Sequence, residues 1–166
     1  MVAESLLYTE EKGVLYIKAV GHITAALCAD LREIVFSRLD SAPPVQDLYI
    51  DLSQCDYMDS TFMGLLVGFN KRLVRSAKHP ITIVQPSEAA RNLLSALGIV
   101  SLVKTLDTAV EFPKNMIDVI QTKKAELDLL LHTHENLMEI SEENRKKFAT
   151  LHAVLKSQMK DPSKGQ

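Results

Sequence analysis

The stretch that most constrains the fold is LYIDLSQCDYMDSTFMGLLVGFNKRL, residues 48–73. Apolar and polar side chains alternate over residues 48–52, which is typical of a buried strand. A short polar stretch then predicts a turn, after which leucine and phenylalanine recur at helical spacing. Asp59 or Ser60 can cap this helix by accepting a hydrogen bond from a free N–H of its first turn. The stretch therefore predicts a strand followed by a helix that carries two hydroxyl groups, those of Ser60 and Thr61, at its amino end.

Strands and helices alternate on both sides of this stretch. A predicted hairpin turns at Gly13, and Thr24 is a candidate N-cap for the first helix. Because parallel strands need helical connections, the pattern predicts an α/β fold in the order β-β-α-β-α-β-α-β-α, a sheet with helices packed on it. Besides the strand and helix above, the predicted strands are 5–9, 14–20, 81–84 and 99–106, and the predicted helices are 25–40, 87–97 and 107–112.

Residues 114–160 differ from the rest, because they carry no strand pattern and are rich in Leu, Lys, Glu and Met. As one helix they would span roughly 70 Å, and their apolar stripe would need a cover. Either a partner chain buries the stripe in a coiled coil, which would make the protein a homodimer, or the segment folds into a hairpin with a break near Ile140. The predicted organisation is a domain over 1–113, a helical extension over 114–160 and a disordered tail over 161–166.

Composition narrows the function classes. The chain has 166 residues, is 46% hydrophobic and carries a net charge of -2, so a general affinity for nucleic acid or an anionic membrane is not expected. No apolar run reaches the ~20 residues of a membrane span, and the first residues lack a signal-peptide pattern. The only two cysteines show no metal-ligand spacing. These features predict a cytoplasmic protein.

The central stretch resembles a known family. Residues 51–53 (Asp-Leu-Ser) and 57–66 (YMDSTFMGLL), together with the order of elements, are similar to a STAS domain of the bacterial anti-sigma factor antagonist type. Gly21 and the segment from Pro86 to Gly98 also fit that family. The resemblance covers about residues 4–112 and leaves the helical extension outside.

The resemblance implies partner switching. The unphosphorylated antagonist would bind an anti-sigma factor that is a GHKL-type serine kinase, and phosphorylation of Ser60, or alternatively Thr61, would release it. A PPM-type phosphatase would reverse the modification. The antagonist would be no enzyme and would need no cofactor. The implied partner-binding residues are Asp59, Ser60, Thr61, Phe62, Met63 and Thr24.

This chain departs from the family pattern at two of those positions. Phe62 stands where the family has Gly, and Thr24 stands where it often has an acidic residue. Both departures bear on the kinase contact rather than on the fold.

Other interpretations of the same residues stay open. Without the family, Ser60 is only a helix cap, and Phe62 and Met63 are either buried packing or an exposed hot spot. The chain could also be an unphosphorylated STAS scaffold or sensor module that assembles through residues 114–160. A third alternative is an enzyme or small-ligand binder that uses the end of the sheet. His132 and His134 are two residues apart, so on a helix they face apart, and no metal site is predicted.

Overall fold

The computed structural model describes residues 4–160. It contains one six-stranded sheet with strand order β5-β4-β3-β2-β1-β6 and five α-helices. The strands are β1 (Ser5–Glu11), β2 (Val14–Ile23), β3 (Asp47–Met58), β4 (Thr82–Val84), β5 (Lys104–Leu106) and β6 (Ile117–Asp118). The helices are α1 (Cys28–Leu39), α2 (Ser60–Ala77), α3 (Glu88–Ala96), α4 (Leu127–Met138) and α5 (Glu142–Lys160).

The sheet is mixed, as the alternating pattern predicts. β1 and β2 form the antiparallel hairpin, and β2, β3, β4 and β5 pair in parallel. β3 lies in the middle of the sheet, and its side chains Leu48, Ile50 and Leu52 are fully buried. The amino end of α2 therefore lies at the carboxyl edge of the central strand, where α/β proteins commonly place their sites.

The helices begin where the sequence predicts caps. Thr24 Oγ1 accepts from Ala26 N at 3.2 Å and opens a 3₁₀ turn that leads into α1. Ser87 Oγ accepts from Ala90 N at 3.0 Å and opens α3. Gly98 follows α3 with a φ of 77°, a left-handed conformation that costs glycine little.

Three predictions of secondary structure are wrong, and the predicted strand 99–106 is too long. Residues 99–101 form a 3₁₀ turn after Gly98, and β5 begins only at Lys104. The polar residues 53–57 belong to β3 rather than to a turn, because pairing with β2 satisfies their backbone through two irregularities in register. Residues 107–112 form no helix. They are too few to be helical without a packed apolar face, and Phe112 instead packs edge-on against Tyr16.

The third error is at the start of the extension, where residues 114–126 are not helical. Ile117 and Asp118 form β6, which pairs with Tyr8 and Leu7 of β1. A two-residue edge strand exists only through that pairing, so sequence periodicity cannot reveal it. Helix begins only at Leu127.

The rest of the extension is a hairpin that packs on its own domain. Ser141 Oγ accepts from Asn144 N at 3.0 Å and starts α5 after the predicted break. The buried Asn144 amide also donates to Leu97 O and Leu137 O, both at 2.9 Å, tying α5 to the end of α3 and to α4. The hairpin is thus the observed one of the two predicted arrangements. The division at residue 113 stays a prediction, and the predicted tail 161–166 lies outside the described residues.

A buried carboxylate fixes the connection between the sheet and the hairpin. Asp30 on α1 accepts from Thr122 N at 3.0 Å and Lys123 N at 3.2 Å, and from the Thr122 hydroxyl. Burial raises the pKa of Asp30, but these hydrogen bonds outweigh it and hold the pKa below its ordinary value. Asp30 therefore anchors the chain four residues before α4 begins.

Asp30→Asn should weaken this anchor, because an amide carries one acceptor oxygen and no charge. We expect the free energy of unfolding at pH 7 to fall by about 2 kcal/mol. Since the pKa of Asp30 is depressed, its contribution exists above the ordinary value of 3.8 and is lost as the pH falls through the folded value. The difference between variant and wild type should therefore shrink below pH 4 in urea unfolding.

The matched control is Asp40→Asn, which changes an exposed carboxylate at the end of the same helix. Its surface ion pair with Arg72 is expected to contribute less than about 1 kcal/mol. An equal loss of stability in both variants would contradict the role of Asp30.

Candidate functional site

Asp59 joins the starts of two helices at the carboxyl edge of the sheet. Its Oδ1 accepts from Phe62 N at 2.9 Å and caps α2, while its Oδ2 accepts from Ala25 N at 2.8 Å in the turn before α1. Its own N–H donates to Ile23 O at 3.0 Å. The sequence predicts Asp59 or Ser60 as the cap, and the structure shows that it is Asp59. Only the fold reveals that the same carboxylate holds the turn after β2.

Thr24 lies beside Asp59 and has an acidic neighbour that no pattern in the sequence predicts. Thr24 N donates to Glu4 Oε1 at 3.0 Å, and its hydroxyl lies 3.3 Å from Glu4 Oε2. A carboxylate is thus present at the Thr24 position although the residue there is not acidic. Residues 4 and 24 are distant in sequence, and only the pairing of β1 with β2 brings them together.

Ser60 lies on the other side of Asp59, and its hydroxyl contacts the C-terminal hairpin. Ser60 Oγ lies 2.8 Å from His134 Nε2 on α4. His134 Nδ1 lies 2.7 Å from Leu130 O, which can only accept, so Nδ1 carries a proton. In the neutral imidazole, Nε2 is therefore the acceptor and Ser60 donates. His134 is only 2% exposed and packs against Phe148.

The other predicted partner-binding residues of α2 point into the protein. Ser60 and Asp59 are half-buried, whereas Thr61 and Met63 are buried and Phe62 is completely so. Of the two arrangements left open for Phe62 and Met63, buried packing is the observed one. A role for these two side chains in binding stays a prediction, and it requires their exposure.

Helix α4 covers α2 more closely than a side chain on Gly64 would permit. A Cβ built on Gly64 would lie 2.1 Å from Thr133 O and 2.6 Å from Thr133 C. The Gly64 carbonyl accepts from Asn136 Nδ2 at 3.1 Å. The spacing of Gly64 and Gly68 predicts close helix packing, and the structure shows that the packed helix is α4.

A half-open cleft of about 430 Å³ lies between α1, α2 and α4. Several cationic side chains line it, and three of them pair with carboxylates: Arg32 with Asp128, Lys71 with Glu139 and Arg72 with Asp40. Arg72 also lies 3.7 Å above the Phe36 ring. The cleft is therefore largely neutralised by the protein's own groups.

Residues 4–160 provide neither a metal site nor a membrane-spanning helix. No group of three or more His, Cys, Asp or Glu side chains is arranged to hold a metal ion. No helix among these residues is both long and apolar enough to cross a bilayer. His132 is exposed and His134 buried, so the two histidines do not converge.

Comparison with known proteins decides the family. The family model described as "Mlab, STAS domain" matches residues 7–104, more than half of the chain. The chain belongs to the STAS domain family. The match ends before β6, so the hairpin lies outside it. A search of curated proteins gave no match.

Solved structures of anti-sigma factor antagonists share the fold. Unphosphorylated SpoIIAA is 18% identical with a TM-score of 0.53, over 64% of this chain and 89% of that chain. Phosphorylated SpoIIAA from Bacillus is 17% identical with a TM-score of 0.51, over 64% and 92%. An antagonist from Mycobacterium paratuberculosis is 20% identical with a TM-score of 0.53, over 64% and 87%.

Asp59→Ala should destabilise the STAS domain more than the loss of an ordinary cap, because it removes both acceptors. We expect the free energy of unfolding to fall by about 3 kcal/mol, from a lost cap and an unsatisfied Ala25 N–H. Asp59→Asn keeps one acceptor oxygen and should lose about half as much. Urea unfolding followed by circular dichroism measures both.

Asp51→Ala is the control, since Asp51 accepts one local hydrogen bond, from Ser53 N at 2.8 Å. Equal losses for Asp51→Ala and Asp59→Ala would show that the bond to Ala25 contributes nothing.

Proposed function

We propose that this STAS protein is an anti-sigma factor antagonist that works by partner switching in the bacterial cytoplasm. Unmodified, it binds an anti-sigma factor of the GHKL serine kinase type. Phosphorylation of Ser60 ends that complex, and a PPM-type phosphatase restores it. The chain serves as ligand and kinase substrate, without a cofactor or catalytic residues of its own.

The observation that carries this proposal is the position and exposure of Ser60. It is the first residue of α2, it follows the Asp59 cap and it is half-buried, whereas the neighbouring Thr61 hydroxyl is buried. Ser60 is therefore the more accessible phosphate acceptor of the two.

A phosphate at this position would suit a binding switch. It adds about −1.5 to −2 charge. The free N–H groups and dipole of a helix start favour an anion by ~0.3–1 kcal/mol, so the fold would tolerate it. In a partner interface the same charge would cost desolvation and repulsion. Phosphorylated SpoIIAA shows that a protein of this fold carries a phosphate.

The structure shows how the chain accommodates its two departures from the family pattern, Phe62 and Thr24. Phe62 is buried and takes its place in the hydrophobic core without blocking the surface beside Ser60. Glu4 brings a carboxylate to Thr24. Both features favour a contact surface made of Asp59, Ser60, Thr24 and Glu4.

A second function is favoured by the bond between Ser60 and His134. In this alternative, the protein is an unphosphorylated STAS scaffold, and Ser60 helps to hold the hairpin on the domain. The scaffold alternative predicts that Ser60 stays unmodified in the cell.

Phosphopeptide mapping by mass spectrometry, on protein purified from its native cells, separates the two. We expect phosphate on Ser60 and its loss in Ser60→Ala, because the acceptor oxygen is gone. Ser53→Ala removes an exposed hydroxyl elsewhere and should leave the modification unchanged. Absence of phosphate from Ser60 and Thr61 under several growth conditions would favour the scaffold.

A further inference from the structure

Helix α4 rests on one stripe of α2, formed by Ser60, Gly64, Gly68 and Lys71, which we call the α2 seat. Polar contacts hold it at both ends. His134 bonds to Ser60 at 2.8 Å, and Lys71 Nζ donates to Asn136 Oδ1 at 3.1 Å and pairs with Glu139. The seat thus runs from the proposed phosphate acceptor, Ser60, to the cation of Lys71 about three turns further along α2.

The middle of the seat is a steric fit. Thr133 O and Thr133 C occupy the space where a Cβ on Gly64 would be, so α4 docks only on a glycine. At Gly68 the nearest atom to such a Cβ is the Asn136 side-chain nitrogen at 3.0 Å, which has to shift by only a few tenths of an ångström and can keep its hydrogen bond to the Gly64 carbonyl. Docking of α4 therefore requires glycine at position 64 but not at position 68.

Docked α4 and a phosphate on Ser60 compete for the same oxygen. With 2.8 Å between Ser60 Oγ and His134 Nε2, no atom fits between them. The esterified Oγ can no longer donate. A phosphorus atom bonded to Oγ would crowd the buried His134 ring, so the ring and the helix that carries it would have to shift.

We propose that the α4–α5 hairpin is a displaceable cover on the α2 seat, and that phosphorylation of Ser60 releases it. The released state exposes the Gly64 stripe of α2, which α4 covers in this structure. The claim that phosphorylation releases the hairpin rests on the proposed function. The claim that the hairpin is displaceable does not.

The hairpin keeps its connection to the domain when α4 leaves the seat. Asp30 holds residues 122 and 123 just before α4, so release moves a tethered element rather than a free chain. Tethering gives α4 a high effective concentration near its seat, which makes the cover reversible once the phosphate is removed.

The cover is tested by Gly64→Ala against Gly68→Ala in the full chain. Both substitutions raise the helix propensity of α2 equally, so they differ only in what the new methyl group meets. By amide hydrogen exchange, Gly64→Ala should speed exchange in residues 127–138 by about 100-fold, with the sheet still protected. Gly68→Ala should stay within about threefold of wild type.

The phosphate step is tested by Ser60→Asp against Ser53→Asp, where Ser53 is an exposed position on β3. Ser60→Asp should speed exchange in residues 127–138 by about tenfold, and Ser53→Asp should not. Protein phosphorylated on Ser60, if recovered from cells, should behave like Ser60→Asp.

The outcomes separate the two proposals. Unchanged α4 protection in Gly64→Ala overturns the cover, whatever the state of Ser60 in cells. If Gly64→Ala speeds exchange in α4 but Ser60→Asp leaves it unchanged or slows it, the hairpin is still a displaceable cover. In that case phosphorylation of Ser60 does not release it. Absence of phosphate in cells refutes the proposed function while leaving the result for Gly64→Ala intact.

Discussion

The missing side chain of Gly64 is the constraint on which the arrangement of the whole C-terminal region depends. It lets the backbone of α4 touch the backbone of α2, and that approach brings His134 to Ser60 and Asn136 to the Gly64 carbonyl. The apolar side chains Leu129, Leu137 and Phe148 then join the core of the STAS domain. A region outside the family match thus lies against the helix that carries the candidate site.

At the carboxyl edge of the sheet, Asp59 holds the first turn of α2 and the turn before α1 together. One carboxylate satisfies N–H groups at the starts of two structural elements, so the loop after β2 and the first turn of α2 form one rigid unit. Ser60 is displayed from that unit. The hydroxyl has a fixed position on a rigid support, while its partner His134 belongs to a hairpin that the chain connects through an irregular linker.

The predictions that succeeded concern elements whose signal is local. Alternation identified the core of β3. Short polar side chains identified the caps at Thr24 and Ser87 and narrowed the cap of α2 to Asp59 or Ser60, of which Asp59 is the observed one. Those that failed concern elements that exist only through a distant partner. Residues 53–57 are a strand because β2 satisfies their backbone, and β6 exists because β1 offers an unpaired edge.

The sequence by itself determined the alternation of strands and helices, a cap at Asp59 or Ser60 and the presence of two hydroxyls at the start of α2, because each follows from periodicity or from bonds within a few residues. The STAS family followed from the resemblance of residues 51–53 and 57–66. The sequence left open whether the C-terminal helices find a partner chain or fold back. Only the tertiary structure decided that, since docking depends on how closely two backbones approach at Gly64. The pairing of Glu4 with Thr24 and of Ser60 with His134 has the same origin, because neither contact leaves a pattern along the chain.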